Sequence, residues 1–593
     1  MSAVALVGLI AASSPASAAP RTVVPAAQPG IAKTMDKVLV RSDRGADGAA
    51  RAVKAVGGSV GRRLGIIGGV SATVRADRVN ELMSEPGITS VTPDQAMHPR
   101  SVDPNLGYDA TGDFGSMSAI TTITGVQTAW AKGYSGKGID VALIDTGVAP
   151  VPDAGTTVKG PDLSFDYQGN FPAGLDEYGH GTHMAGIING HDPTATGTTV
   201  TPTTCPTCLN TNEYSDTTKY VGIAPQARVI NVKVGAFDGG TDMSQVIAAI
   251  DWVVKNQTAN KMNIKIINLS FGTQSTNPYT SDPLAFACEM ARKKGILVVA
   301  AAGNDGNSSA QLEDPAYDPS VLAVGASDPM STYPVTDDTV ASFSNSGTTT
   351  RKVDVVAPGV HVISLRDPGS YIDVNYGSTG LVGTSFFRGS GTSQATAVVS
   401  GIAAVLYQKY PSATPDAMKK LIMSTTSAIA AGAPVNAVGN GTPNAGKAVV
   451  TALPNFTQSF TAGTGTGLIE NARGGVHVTS GGINGVDLVG EKDIFGHVWN
   501  STTWAKASAG GTSWSGGSFL GNAWSGSTWT TAGWTDLKWT HTDWNNLTWS
   551  SHLWSSESWD SHRWSGDNWS GAVWSSHRWS ATFWSGFSNT TWS

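Results

Sequence analysis

Several short runs in the middle of the chain are almost wholly apolar. They are Val141, Ala142, Leu143 and Ile144; residues 228–232; residues 264–269; residues 296–300; and Val321, Leu322, Ala323 and Val324. Runs of that length predict strands buried on both faces rather than one. Between them, residues 242–256 and 282–294 carry apolar positions at helical spacing, with Asp242 and Asp282 placed as N-caps and Gly295 as a stop. Strand, helix, strand repetition predicts an α/β domain of three layers, a parallel sheet with helices on either side. A further helix begins at Ser393, where Ala395, Val398, Val399, Ile402, Val405 and Leu406 form one stripe until Tyr410 and Pro411.

The polar residues that interrupt this pattern sit at strand ends and helix starts. Asp145 closes the first run, just before Thr146 and Gly147. His180 opens the small-residue stretch 181–188, Asn304 follows the run 298–303, and Ser393 opens its own helix. Ligands of open α/β sheets bind at the carboxyl ends of strands. A carboxylate, an imidazole, a side-chain amide and a hydroxyl are the parts of a nucleophilic hydrolase: brace, base, oxyanion donor and nucleophile. The chain order Asp, His, Ser is one of the few in which such a triad is assembled.

The segments Ile144-Asp145-Thr146-Gly147, His180-Gly181-Thr182-His183, Ala302-Gly303-Asn304 and Gly391-Thr392-Ser393 resemble the signatures of the subtilases, the subtilisin-like serine peptidases of S8 type, across about residues 121–449. The resemblance implies that Asp145 orients the imidazole, His180 shuttles the proton, Ser393 attacks the peptide carbonyl, and Asn304 with the Ser393 amide holds the oxyanion. It also implies that Ser270, Phe271 and Gly272 form one wall of the substrate pocket and Ala301, Ala302 and Gly303 the other. Neither wall contains a charge, so aromatic or aliphatic side chains are the expected fit. After Ser393 the chain reads Gln394, Ala395, Thr396, where the family usually has Met and, further on, Pro-His; those positions pack the helix. His183 lies on nearly the same helical face as His180 and is expected to be a packing residue.

Upstream, residues 37–100 alternate strand, helix, strand, strand, helix, strand, with strands at Val38 to Val40, Val70 to Val74 and Ile88 to Val91. That order suits a small ferredoxin-like α+β fold. Its place resembles the inhibitory prosegment of subtilases, cut away near Met97 to Asp103, so the chain's own prodomain is expected as its inhibitor. Residues 1–19 read as a signal peptide: an apolar run followed by Ala16, Ser17 and Ala18. Residues 20–36 then form a linker, and secretion is expected.

Downstream, a subtilisin-like domain over 101–475 and a linker over 476–495 lead into residues 496–593, where an aromatic recurs every fifth position. Trp499, Trp504, Trp514 and Phe519 open a series that runs to Trp584, with Ala509 filling one gap. Five residues turn an α-helix by about 140°, so such rings cannot share one helical face. A non-helical repeat is expected: a self-packed turn-rich solenoid, an extended disordered array, or an array of indoles that anchors to cell-wall glycan or insoluble substrate by avidity.

Composition narrows the remaining classes. Of 593 residues 40% are hydrophobic and 14% charged, enough for a large core with accessory parts. A net charge of −7 offers no basic surface for nucleic acid. Cys205 and Cys208 lie in a polar insertion, where a local disulfide is expected in a secreted protein; Cys288, inside a helix, reads as a buried thiol. No cofactor is expected for catalysis and no metal ligand is assigned, although structural calcium is frequent in the family. The expected function is thus a secreted, self-processed serine endopeptidase acting on proteins or peptides. The alternative is a surface- or glycan-binding protein with a vestigial peptidase domain.

Overall fold

The computed structural model describes residues 35–64, 68–93, 107–164, 174–195, 218–237, 239–307, 311–430, 433–475, 477–479, 487–515 and 517–523, with a few short pieces between. Cys205, Cys208, the expected signal peptide, the expected cleavage segment 97–103 and the aromatic repeats of 524–552 and 555–593 lie outside the described residues. The chain divides into two compact units, residues 1–99 and 100–593.

In the first unit β1 (Met35–Ser42), α1 (Gly45–Ala55), β2 (Ser59–Leu64), β3 (Gly69–Arg75), α2 (Val79–Ser84) and β4 (Ile88–Pro93) follow one another. The strands form an antiparallel sheet in the order β2-β3-β1-β4. Alternation drives it: Val38, Val40, Val70, Ala72 and Val74 are buried with Ala49, Val53 and Leu82 of the helices, and this core is separate from those of the second unit.

The second unit is built on parallel strands in the order β6 (Thr157–Asp162), β7 (Arg228–Lys233), β5 (Asp140–Asp145), β8 (Ile264–Leu269), β9 (Leu297–Ala301), β10 (Leu322–Asp328) and β12 (Val355–Pro358). The short β11 (Thr339–Val340) runs antiparallel beside β10. Every residue of β5 and β9 is buried, because helices cover both faces. One face packs on α3 (His180–Asn189), α6 (Thr392–Lys409) and α7 (Pro415–Ser424), the other on α4 (Met243–Asn256) and α5 (Pro283–Lys293). Local chemistry sets the helix starts: Asp242 and Gln245 close a capping box on α4, and Asp282 accepts from the amides of Leu284 and Ala285 at the head of α5.

The segment after residue 475 differs from expectation. Among the described residues, 487–495 pack onto the α/β domain rather than forming a linker, and 501–509 are helical. Arg473, almost fully buried, donates to Asp242 Oδ1 at 2.9 Å, to Glu470 Oε2 at 2.9 Å and to the Gly490 carbonyl at 2.8 Å, which ties Glu470 and Gly490 to the head of α4. Ile494 and Phe495 then enter the core, and residues 501–509 form α8 (Ser501–Ala509), capped by Asn500. The helix occurs where the aromatic period breaks: Ala505, Ala507 and Ala509 favour it, and Ala509 replaces the ring expected there. Trp504 Nε1 and Ser508 Oγ, one turn apart on α8, donate to Asp251 of α4 at 3.0 and 2.6 Å, and Trp514 Nε1 donates to the Ala248 carbonyl at 2.8 Å. Trp499, Trp504, Trp514 and Phe519 all lie in the core shared with α4 and α5. These aromatics therefore belong to the α/β domain, whose boundary lies beyond residue 475.

Candidate active site

Asp145 ends β5, His180 begins α3, Asn304 follows β9 and Ser393 lies in the first turn of α6, so all four collect at the carboxyl end of the parallel sheet. His180 Nδ1 is 2.8 Å from Asp145 Oδ1, with both side chains buried. The Thr146 amide donates to the same oxygen at 2.8 Å. A carboxylate so held favours the tautomer whose Nδ1 proton faces it, with Nε2 on the opposite side of the ring.

Two glycines permit this approach. Gly179 precedes His180 with φ of 103°, where a side chain would be strained. Gly181 lies so close to the Asp145 loop that a Cβ on it would sit 2.1 Å from the Gly147 carbonyl.

Ser393 Oγ donates to the Ser270 carbonyl at 2.9 Å, which brings this hydroxyl against the segment just past β8. Asn304 Oδ1 accepts from the Thr392 amide at 2.8 Å and from Thr392 Oγ1 at 3.0 Å, so it is fixed beside Ser393 with its Nδ2 donor turned to the other side. α3 packs against α6, and α6 against β8, β9 and β5. Of the six pocket residues expected, Phe271 is fully buried in the core and can offer a peptide only its backbone; Ser270, Gly272, Ala301, Ala302 and Gly303 are buried as two facing segments.

His183 is buried one turn after His180. Burial, and the charge His180 can carry, push its pKa well below the usual imidazole value, which keeps it neutral. The Cys288 thiol is likewise buried, and burial pushes its pKa up.

Three residues of the site are not apparent from the motifs alone. Asp176 accepts from Thr146 Oγ1 (2.8 Å), the Gly179 amide (2.7 Å), the Thr182 amide (2.7 Å) and Thr182 Oγ1 (2.7 Å). It thereby ties the Asp145 loop to the first turn of α3. Burial raises its pKa, opposed by the charge of Lys233 and by those amides. Lys233, with no exposed surface, donates to the carbonyls of Thr146 and Leu175, both at 2.8 Å, and pairs with Glu177. Its signal in the sequence is a lone cation ending an apolar strand. Glu313 is the third: its carboxylate reaches both pocket segments, so the expected absence of charge holds for the walls and not for what lies between them.

A family model described as "Subtilase family" matches residues 136–441, and one described as "Putative peptidase inhibitor domain" matches residues 20–94. The chain belongs to the subtilase family. This subtilase is 36% identical over 299 residues to "Serine protease AprX" of Bacillus subtilis (strain 168), a match covering 49% of this chain and 62% of that protein. It is 32% identical over 289 residues to "Minor extracellular protease Epr" of the same strain, covering 49% and 35% respectively. With "Subtilisin DY" of Bacillus licheniformis it shares 31% identity over 301 residues, covering 50% of this subtilase and 86% of the relative. It thus spans less than two thirds of the first two relatives.

Proposed function

We propose that this subtilase is a secreted serine endopeptidase, made with an inhibitory prosegment that it removes itself. The observation that carries the reading is the buried His180–Asp145 pair at 2.8 Å, sharing one end of the sheet with Ser393 and Asn304. His180 Nε2 takes the Ser393 hydroxyl proton as Oγ attacks the peptide carbonyl. Asp145 stabilises the imidazolium through the Nδ1 proton, and the tetrahedral oxyanion lies between Asn304 Nδ2 and the Ser393 amide. The imidazolium then protonates the leaving amine, and a water molecule, deprotonated by the same nitrogen, releases the acyl group. No step calls for a cofactor.

The prosegment reading draws on the inhibitor-domain match and on the first unit, whose element order and β2-β3-β1-β4 sheet suit a ferredoxin-like plug. The secretion reading draws on residues 1–19. Among the described residues no helix is long and apolar enough to cross a membrane. The test is casein hydrolysis by purified processed protein and by Ser393→Ala. The wild type should cleave and the variant should lose essentially all activity; equal rates would refute the reading.

A further inference from the structure

A peptide residue whose carbonyl lies between Ser393 and Asn304 must send its side chain between the two segments beside them, Ser270 to Gly272 and Ala301 to Gly303. This placement rests on the peptidase reading above. Gly303 adjoins Asn304, and Gly272 stands two residues from Ser270, whose carbonyl meets Ser393 Oγ at 2.9 Å. Glu313 lies against both. A Cβ on Gly272 would fall 2.8 Å from Glu313 Oε2, and one on Gly303 only 2.5 Å from Oε1. The carboxylate therefore fills the gap between the walls, and glycine at 272 and 303 is what admits it.

Backbone bonds hold the acid in place. The Glu313 amide donates to the Ala302 carbonyl at 3.1 Å, while Thr273 and Asp314 exchange two bonds of 3.0 and 2.8 Å. Residues 313 and 314 are thus stitched to one wall on each side and form the floor beneath them. Glu313 is 1% exposed, so its carboxylate is enclosed between the two walls, with Asn345 Nδ2 as close as Oε1 to the position a Cβ on Gly303 would take. The adjoining Asp314 is pushed well above the ordinary carboxylate range, by burial first and then by Asp282, Asp318 and Glu313 itself.

We propose that Glu313 selects peptides with Arg or Lys immediately before the cleaved bond. The methylenes of such a side chain lie along Ala301, Ala302 and Gly272, and the charged end reaches the carboxylate, bidentate in the case of Arg. An aliphatic or aromatic side chain would form no ion pair with the carboxylate, and an acidic one would be repelled. This replaces the aromatic or aliphatic preference expected from the walls alone.

The test uses five fluorogenic peptides identical except for Arg, Lys, Leu, Phe or Glu before the cut, assayed with the processed wild type and with Glu313→Gln. The wild type should favour Arg and Lys over Leu and Phe by about 10-fold or more in kcat/KM. Glu313→Gln should lose about 10²-fold on Arg and Lys and nothing on Leu or Phe. An uncharged fluorophosphonate should label Ser393 equally fast in both proteins, and benzamidine should slow that labelling in the wild type only, a readout that survives if peptide turnover by the variant is too weak to measure. A wild type that prefers Leu or Phe, or a variant that loses the same factor on all five peptides, overturns the proposal. A wild type that neither labels nor cleaves any peptide refutes the peptidase reading itself, and this proposal with it.

Discussion

Asp176 never touches substrate in this account, yet four donors converge on it from both sides of the His180–Asp145 pair. Asp176→Asn keeps the shape and turns one acceptor into a donor that faces other donors. Such a mismatch is worth about 1–3 kcal/mol, or roughly 10- to 100-fold. The loss should appear in kcat with KM little changed, as steady-state kinetics on one peptide would show. Gly181→Ala forces a methyl to within 2.1 Å of the Gly147 carbonyl and should act similarly by parting His180 from Asp145. Asn304→Ala should cost about 10²- to 10³-fold in kcat, a figure taken over from the same donor in a subtilisin rather than obtained from this site. The four positions expected to be catalytic could be singled out from the sequence because each ends or follows a strand or begins a helix in a short local motif. Asp176, Lys233 and Glu313 could not, since each acquires its role from segments brought to it by the fold: Glu313 is ten residues from Gly303 and forty-one from Gly272.

At the scale of elements, apolar runs located the sheet and its helices closely: residues 264–269 form β8 as expected, and α4 and α5 begin just after Asp242 and Asp282. The same reasoning failed at α8. The five-residue aromatic period points away from a helix, whereas alanine content and the buried partner Asp251 decide the local fold. Trp504→Ala should therefore destabilise the α/β domain itself, by about 3–5 kcal/mol for a buried ring of this size, measured by chemical denaturation. Asp251 adds a pH signature. Burial raises its pKa to about 6, against the pull of Ser508, Trp504 and Ser513. The folded state therefore holds that proton more tightly than the unfolded chain, and the resulting stability is present below about pH 4 and lost as pH rises through about 6. Melting curves of wild type and Asp251→Asn should diverge across that window, with the wild type losing ground as pH rises.

For the whole molecule, the division into a small α+β unit and a large α/β unit was legible from the strand, helix, strand, strand, helix, strand order of residues 37–100, which differs from the strand and helix repetition that follows. The true extent of the larger unit was not, because Arg473 and the first aromatics bind surfaces of α4 and α5 far away in sequence. A chain ending after residue 495 should consequently be less stable and less soluble than one ending after 523. If the first unit is a prosegment, the wild type should yield a mature form beginning near residues 97–103, and Ser393→Ala should retain the full chain, as mass spectrometry would record. The central claim is that His180, braced by Asp145, activates Ser393. Its most direct test is fluorophosphonate labelling followed by peptide mapping: the account predicts a single adduct on Ser393 that disappears in His180→Ala. An unlabelled Ser393 in the wild type, or labelling that persists at the same rate without His180, would contradict it.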